Sequence, residues 1–168
     1  MIPSYANFGG KIHGGILLSL MDKVAYACAA KHAGTYVVTV AVENVEFLQP
    51  VEVGQLVSLL ASVNYVGKSS LIVGIRVVAE SIRTGEQVHT NTSYFTMVAK
   101  DEQTNQPTLV PPLLLETRDE VRRFLEAMKR KELRQIHRTE LDNAKTSLEV
   151  AESLSLLMNE RAVVACEL

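Results

Sequence analysis

The chain has 168 residues, of which 47% are hydrophobic and 21% charged, values typical of a globular protein with one well-packed core. A net charge of −2 gives no electrostatic footprint for nucleic acid, and no apolar run is long enough for insertion into a membrane. The two cysteines, Cys28 and Cys166, form neither a metal-binding spacing nor a disulfide framework, which predicts a reducing, cytoplasmic compartment.

The first predicted element is a helix that begins near the glycine pair Gly14-Gly15 and stops at Gly34. Apolar residues cover most of its circumference, so the pattern predicts a helix buried nearly all round. It also carries one carboxylate, Asp22. A buried carboxylate is costly unless it is paired or hydrogen bonded, and such groups are tolerated at working sites. Asp22 is therefore a candidate catalytic residue.

The start of this helix is a second candidate site. Backbone N–H groups near Gly14 and Gly15 have no intrahelical partner, and they suit a carbonyl oxygen that gains negative charge. Asp22 lies eight residues further, roughly 12 Å along the helix. One carbonyl group cannot touch both places. If both serve one reaction, they must come from two copies of the chain.

Strand-like segments follow the helix. Residues 35–42 are β-branched and residues 43–48 alternate, and three further runs cover 56–66, 71–82 and 87–99. The last three are joined by short turns at Gly67-Lys68 and Thr84-Gly85, which makes the neighbouring strands antiparallel. The pattern predicts an α+β layer in which the sheet wraps over the helix.

The first of these turns reads Gly67-Lys68-Ser69-Ser70. The first glycine of a nucleotide-binding loop of the Walker type would fall at Ser62, which excludes that motif. The turn still offers backbone N–H groups, two hydroxyls and a cation, enough to hold an exposed phosphate, although a lone motif of this kind is more often a plain hairpin turn.

The four histidines have no ligand spacing, so the sequence predicts no metal site. His13, just before the helix, is either a loop histidine without a chemical task or part of the site. Ser19 lacks the glycine context of a serine hydrolase nucleophile.

The last third of the chain is charged and helical in pattern. Residues 101–112 are polar and contain prolines, and Thr117 with Glu120 forms a capping-box signature for a helical run of about 45 residues. Within this run a weak heptad-like seam allows a coiled coil, a helical hairpin or a helix lying on the body. Its members are Leu141, Ala144, Leu148, Ala151, Ser155 and Met158.

Taken together, these motifs resemble the hotdog-fold acyl-CoA thioesterases, especially the bacterial YciA and mammalian brain-type acyl-CoA hydrolases. The resemblance covers about residues 2–100. It includes Asn7, the Gly-x-Ile-His-Gly-Gly of residues 10–15, Asp22, the segment 39–51, Val53-Gly54 and Gly67-Lys68-Ser69-Ser70.

The resemblance implies a hotdog fold, with an antiparallel sheet wrapped round a long central helix and a C-terminal helical extension. The domains would be a thioesterase domain at 1–103, a linker at 104–115 and the extension at 116–168. The chain starts almost at the end of the family's first strand, so that edge would be shortened or upstream residues missing. Homodimers with sheets joined edge to edge, and trimers of those dimers, are also implied.

The resemblance also assigns roles to residues. Asp22 would be the catalytic carboxylate and Asn7 a polar partner from the other subunit. Gly14 and Gly15 would line the oxyanion site, with His13 beside them. The acyl-CoA substrate would place its nucleotide end at the 67–70 turn. Coenzyme A is then part of the substrate, and no separate cofactor is implied.

The predicted reaction is hydrolysis of a fatty acyl-CoA thioester, with Asp22 either activating water or attacking directly. Two rivals share the fold. A non-catalytic acyl-CoA sensor would not need Asp22 and Asn7 together. A hydroxyacyl thioester dehydratase would want a histidine beside the acid, for which His13 is the candidate.

Overall fold

A computed structural model describes residues 1–157 and 160–165 of the chain. Met158 and Cys166, which entered the sequence patterns above, lie outside the described residues. The chain divides into two compact units, one formed by residues 1–127 and one that begins at Met128. The longer elements are α1 Gly14–Ala33, β1 Val37–Val42, β2 Leu56–Val66, β3 Ser70–Glu80, β4 Gln87–Ala99, α2 Arg118–Ser147 and α3 Val150–Ser153. Within the described ranges, no helix combines the length and the apolar character that a bilayer crossing requires.

The four strands form one antiparallel sheet in the order β1-β4-β3-β2. The predicted α+β class and the hairpin turns at Gly67-Lys68 and Thr84-Gly85 are confirmed. β1 and β2 are the two edge strands. Ahead of α1, Pro3–Tyr5 forms a single 3₁₀ turn rather than a strand, and Ala6 pairs with Ile12 in an isolated bridge.

The core lies between α1 and one face of the sheet, called here the inner face. Every fourth residue of α1 is buried, and three of the five in this stripe are alanines that let the helix approach the strands closely. The stripe is Leu17, Met21, Ala25, Ala29 and Ala33, and it meets Leu71, Val73, Ile75, Val77, Phe95 and Met97 of β3 and β4.

The expectation that α1 is buried nearly all round is wrong for the single chain. Lys23, Ala27 and Lys31 are exposed, and Tyr26 keeps 43% of its surface accessible. The sheet covers one face of the helix and leaves the opposite face uncovered. Gly34 ends α1 in the left-handed conformation, with φ of 67°, as predicted.

Segment 100–111 stays attached to the body after β4. Lys100 pairs with Pro107, and the Val110 N–H donates to the Lys68 carbonyl over 3.1 Å. The ring of His32, near the end of α1, hydrogen bonds the Pro111 carbonyl at 3.0 Å. The chain thereby passes the C-terminal end of α1 before it reaches α2.

The capping box at the start of α2 is confirmed. The Glu120 N–H donates to the Thr117 hydroxyl over 3.2 Å, and the Thr117 N–H donates back to the Glu120 carboxylate over 2.8 Å. In the same unit, the rings of Tyr65 on β2 and Phe124 on α2 lie 5.1 Å apart, and Ala127 is fully buried. Tyr65 pairs with Ile72 on the outer face of the sheet, so the first turns of α2 pack on that face.

The helical run that the sequence predicts after Thr117 is divided into two helices, α2 and the short α3. α2 ends at Ser147, and the seam residue Leu148 lies outside any helix. Two hydroxyl groups bond back to carbonyls in the last turn, Thr146 to Asp142 over 2.9 Å and Ser147 to Ala144 over 3.4 Å. Such side-chain bonds compete with the helical ladder and favour a helix end.

Candidate active site

His13 caps the N-terminus of α1. Its Nδ1 accepts a hydrogen bond from the Gly15 N–H over 2.9 Å, so the ring carries its proton on Nε2. The Ile16 N–H bonds the His13 carbonyl at 3.0 Å. Among the described residues no acceptor faces the Gly14 N–H. Of the two glycines predicted at an oxyanion site, Gly14 keeps a free donor and Gly15 does not.

Gly14 also allows a close contact with an aromatic ring. A Cβ atom at this position would lie only 3.1 Å from Cζ of Phe47. The glycine therefore lets the Phe47 ring lie against the helix start, beside the free N–H group. Phe47 itself is 49% exposed.

Asp22 is half-buried and is held by a hydrogen bond from another element. The Thr39 hydroxyl on β1 donates to Asp22 Oδ1 over 2.7 Å. A register shift between Thr39 and Ala41 interrupts the pairing of β1 with β4 directly after this threonine. Such bulges re-aim side chains, and here Thr39 faces α1. The carboxylate is thus oriented, and one of its oxygens has no bonding partner in the described chain.

Thr39 is a residue that the sequence patterns missed as a site component. It stands in a run of β-branched residues, where a threonine is an ordinary strand former. It lies seventeen residues after Asp22, and no helix or strand period links the two positions in the sequence. Only the packing of β1 beside α1 brings the two groups together.

Asn7 lies in an exposed loop before α1. Its Oδ1 accepts from the N–H groups of Gly9 and Lys11, at 2.9 and 3.1 Å. The Nδ2 group has no acceptor among the described residues. No hydrogen bond joins Asn7, Gly14 or Gly15 to Asp22 within the described chain. One chain therefore brings Asp22 together with Thr39 but leaves the other predicted catalytic residues apart from it.

The 67–70 turn connects β2 to β3 and is held by backbone hydrogen bonds. The Gly67 N–H donates to the Ser70 carbonyl over 2.8 Å, and the Ala99 N–H donates to the Ser69 carbonyl over 2.8 Å. Lys68 is exposed and forms no ion pair with the carboxylates that the structure describes. Ala99 pairs with the first residue of β1, so this turn lies at the sheet end where α1 stops, away from Gly14.

Metal-ion catalysis and catalysis by a cysteine thiolate receive little support from the described residues. No group of three histidine, cysteine, aspartate or glutamate side chains there could hold a metal ion. Cys28, on the same helix as Asp22, is half-buried, and burial raises the pKa of its thiol, which disfavours the nucleophilic thiolate.

Comparison with known proteins gives a consistent result. A family model described as "Thioesterase superfamily" matches residues 9–86. Protein VdlD of Helicobacter pylori is 47% identical over 134 residues, which span 80% of this chain and 76% of VdlD. A solved structure of an apo-hexameric acyl-CoA thioesterase superimposes with a TM-score of 0.78 at 36% identity, covering 82% of this chain and 87% of the other.

The acyl-CoA hydrolase of Staphylococcus aureus, solved with butyryl coenzyme A and coenzyme A, superimposes with a TM-score of 0.77 at 30% identity. The superposition covers 87% of this chain and 88% of the S. aureus chain. Three further structures of that hydrolase carry single alanine replacements of an asparagine, an aspartate and a threonine. The intervals between these positions are fifteen and seventeen residues, the same as from Asn7 to Asp22 and from Asp22 to Thr39.

Proposed function

The chain belongs to the thioesterase superfamily and hydrolyses acyl-CoA thioesters, and from that premise we propose that Asp22 is the carboxylate that performs the reaction. The observation that carries this proposal is the hydrogen bond from Thr39 to Asp22. It orients the carboxylate from a second element and leaves the other oxygen open to a reactant. The matching intervals to the replaced residues of the S. aureus hydrolase support the same assignment.

The overall reaction adds water across the carbon–sulfur bond of the thioester and gives a fatty acid and coenzyme A. In the general-base route, Asp22 accepts a proton from a water molecule whose oxygen attacks the carbonyl carbon, and the proton passes to the departing thiolate. In the nucleophilic route, an Asp22 oxygen attacks the carbonyl carbon and coenzyme A departs as the thiolate. Water then cleaves the mixed anhydride, which regenerates the Asp22 carboxylate and releases the proton that the thiolate takes up. Neither route requires a cofactor.

A single turnover in water labelled with oxygen-18 separates the two routes. Label recovered in the Asp22 carboxylate would establish direct attack. Label found in the fatty acid alone would exclude cleavage of an anhydride at the Asp22 carbonyl and would favour the general-base route. Acyl-CoA turnover that proceeds unchanged in an Asp22→Asn protein would remove Asp22 from both.

The proposal places one active site between two copies of the chain. Gly14 is about 12 Å from Asp22 along α1, so the Gly14 N–H of one copy would polarise the carbonyl that Asp22 of the other copy attacks or hydrates. The unpaired amide of Asn7 would contribute a further donor from the same side as Gly14. The uncovered face of α1, on which Tyr26 is exposed, leaves room for a partner.

Complementation between two inactive chains tests this arrangement. Gly14→Pro removes the free N–H, and proline is tolerated at the first position of a helix. Gly14→Ala is the matched control, because it adds the same Cβ beside Phe47 but keeps the donor. Mixing Gly14→Pro chains with Asp22→Ala chains should restore part of the activity. Mixed dimers that stay inactive would contradict the shared site.

We further propose a homodimer that assembles into a trimer of dimers. The hexameric state of a structurally similar thioesterase supports this, as does the open edge strand β1, where Val40 is 55% exposed.

Acyl-CoA would place its phosphates at the 67–70 turn, where Lys68 has no carboxylate partner among the described residues. Lys68→Ala should then raise the KM for acyl-CoA with little change in kcat.

A cytoplasmic location remains our prediction from the cysteine content.

A further inference from the structure

A cavity lies on the outer face of the sheet, on the side away from α1 and Asp22. Its volume is about 360 Å³, and it lies between β2, β3, β4 and the first turns of α2. That volume is within the range of small-molecule sites. All its lining residues belong to the first compact unit.

Hydrogen-bond donors dominate the wall of this cavity. Arg76, Arg122 and Arg123 line it together with one carboxylate, Glu126. Glu126 is bound to Arg122 over 2.6 Å, and Asp119 outside the cavity pairs with both helix arginines. Arg76 is exposed and pairs with no carboxylate in the described parts of the chain. Three guanidinium groups against two carboxylates leave a positive charge, located at Arg76.

A buried amide points into the same cavity. Asn64 is 7% exposed, and its Oδ1 accepts a hydrogen bond from the Ser62 hydroxyl over 2.9 Å. Its Nδ2 group has no acceptor among the described residues. The Arg123 guanidinium also approaches the Ser62 hydroxyl, at 3.5 Å.

Two backbone features create this arrangement. The pairing of β2 with β3 shifts register between Val63 and Tyr65, so Asn64 is the extra residue of a bulge. Gly74 of β3, which pairs with Ser62, has no side chain, and a Cβ atom there would lie 2.4 Å from Asn64 Nδ2. The glycine therefore makes room for the amide above the sheet.

We propose that this cavity binds a small organic molecule through a phosphate group, which the Arg76 guanidinium and the Asn64 amide hold. A phosphate oxygen is the acceptor that both groups lack, and guanidinium pairs with phosphate through two parallel hydrogen bonds. The volume exceeds what a bare phosphate ion fills, so the rest of the molecule lies along Leu60 and Tyr94. The phosphate comes either from a separate metabolite or from coenzyme A, and in the second case the nucleotide end of coenzyme A lies here and not at the 67–70 turn.

Titration calorimetry of the full-length protein with adenosine 5′-monophosphate, inorganic phosphate and adenosine tests the proposal. The monophosphate should bind more tightly than either fragment. Arg76→Ala should weaken it about tenfold or more, and Asn64→Asp should weaken it further by placing a carboxylate against the phosphate. Arg83→Ala is the matched control, because Arg83 is an exposed arginine in the β3–β4 turn, outside the cavity.

Absence of binding at millimolar monophosphate would overturn the proposal, as would unchanged affinity in both Arg76→Ala and Asn64→Asp. Loss of binding in Lys68→Ala but not in Arg76→Ala would place the phosphate at the 67–70 turn and also overturn it. If the monophosphate competes with acyl-CoA and Arg76→Ala removes that competition, the cavity is assigned to coenzyme A. Binding without competition would assign it to a separate metabolite. None of these results depends on whether Asp22 performs the hydrolysis.

Discussion

The two edge strands of the sheet each carry a bulge, and the two bulges serve opposite faces. In β1 the register shift follows Thr39, whose hydroxyl meets the Asp22 carboxylate on the inner face. In β2 the shift leaves Asn64 as an extra residue on the outer face, near Arg76. The inner site is built on a negative charge and the outer cavity on positive charge. An irregular edge strand can therefore add a polar site on either face without disturbing the apolar core.

The largest expected effect is a loss of catalysis at the inner site that leaves binding at the outer cavity unchanged. Asp22→Asn keeps the shape of the side chain and removes the base or nucleophile, so kcat should fall by about 10³-fold. The thermal midpoint should stay close to that of the unchanged protein, because Asp22 is only half-buried. Steady-state hydrolysis of an acyl-CoA measures the loss, and Glu102→Gln is an exposed control. Affinity for adenosine monophosphate should not change in the Asp22 variant.

A smaller loss is expected at the inner bulge itself. Thr39→Val keeps the β-branched shape but removes the hydroxyl that orients Asp22, so kcat should fall by about 10- to 100-fold. Thr39→Ser retains the donor and should recover most of the activity. If valine and serine variants lose the same activity, Thr39 acts through strand packing rather than through the hydrogen bond.

At the outer bulge the expected effect is on stability. Gly74→Ala places a methyl group 2.4 Å from the Asn64 amide and should lower the free energy of unfolding by about 1–3 kcal/mol. Combining it with Asn64→Ala should relieve the clash, so the double variant should be less destabilised than the sum of the two single variants. Additive effects in urea unfolding would contradict the close contact between Gly74 and Asn64.

The smallest effect concerns the capping box that starts α2. The Glu116 and Thr117 N–H groups donate to the Glu120 carboxylate, and together with the Thr117 hydroxyl they hold its pKa below the usual value of 4.5. A lowered pKa in the folded state stabilises the fold above the ordinary pKa and loses that contribution as pH falls through the folded value. The protection of amides at the start of α2 against hydrogen exchange, relative to the intrinsic rate at each pH, should therefore decrease below about pH 4.

Glu120→Gln is the control for this effect, because glutamine can accept the same hydrogen bonds without a carboxylate charge. The exchange rates of the two proteins should differ at neutral pH and converge in acid. The turnover number of the inner site at neutral pH should be the same in both. A difference that persists at acid pH would assign the effect to side-chain size rather than to charge.

Much of the fold could be predicted from local patterns. The glycines that bound α1, the β-branched runs and the Thr117–Glu120 signature each act within a few residues, and the elements formed accordingly. The uncovered face of α1 and the end of α2 at Ser147 were not predicted. The first depends on what covers the helix in space, and the second on hydroxyl groups near residue 147 that bond back to the backbone.

The site residues also fall into two groups, those that the sequence reveals and those that it does not. Asp22 could be recognised from the chain because a carboxylate in an apolar helix conflicts with its neighbours. Thr39 and Asn64 could not, since a threonine in a strand and an asparagine near a turn conflict with nothing nearby. Their importance comes from register shifts, which depend on pairing between strands distant in the chain.

By itself, the sequence determined the order of the elements, the family resemblance and the place of the carboxylate, because these follow from local preferences and short motifs. Tertiary structure alone decided that Thr39 orients Asp22 and that a donor-rich cavity opens beside Asn64. Each of these arrangements joins groups from elements distant in the chain, and the free energy of such pairing depends on distance in space rather than on separation along the chain.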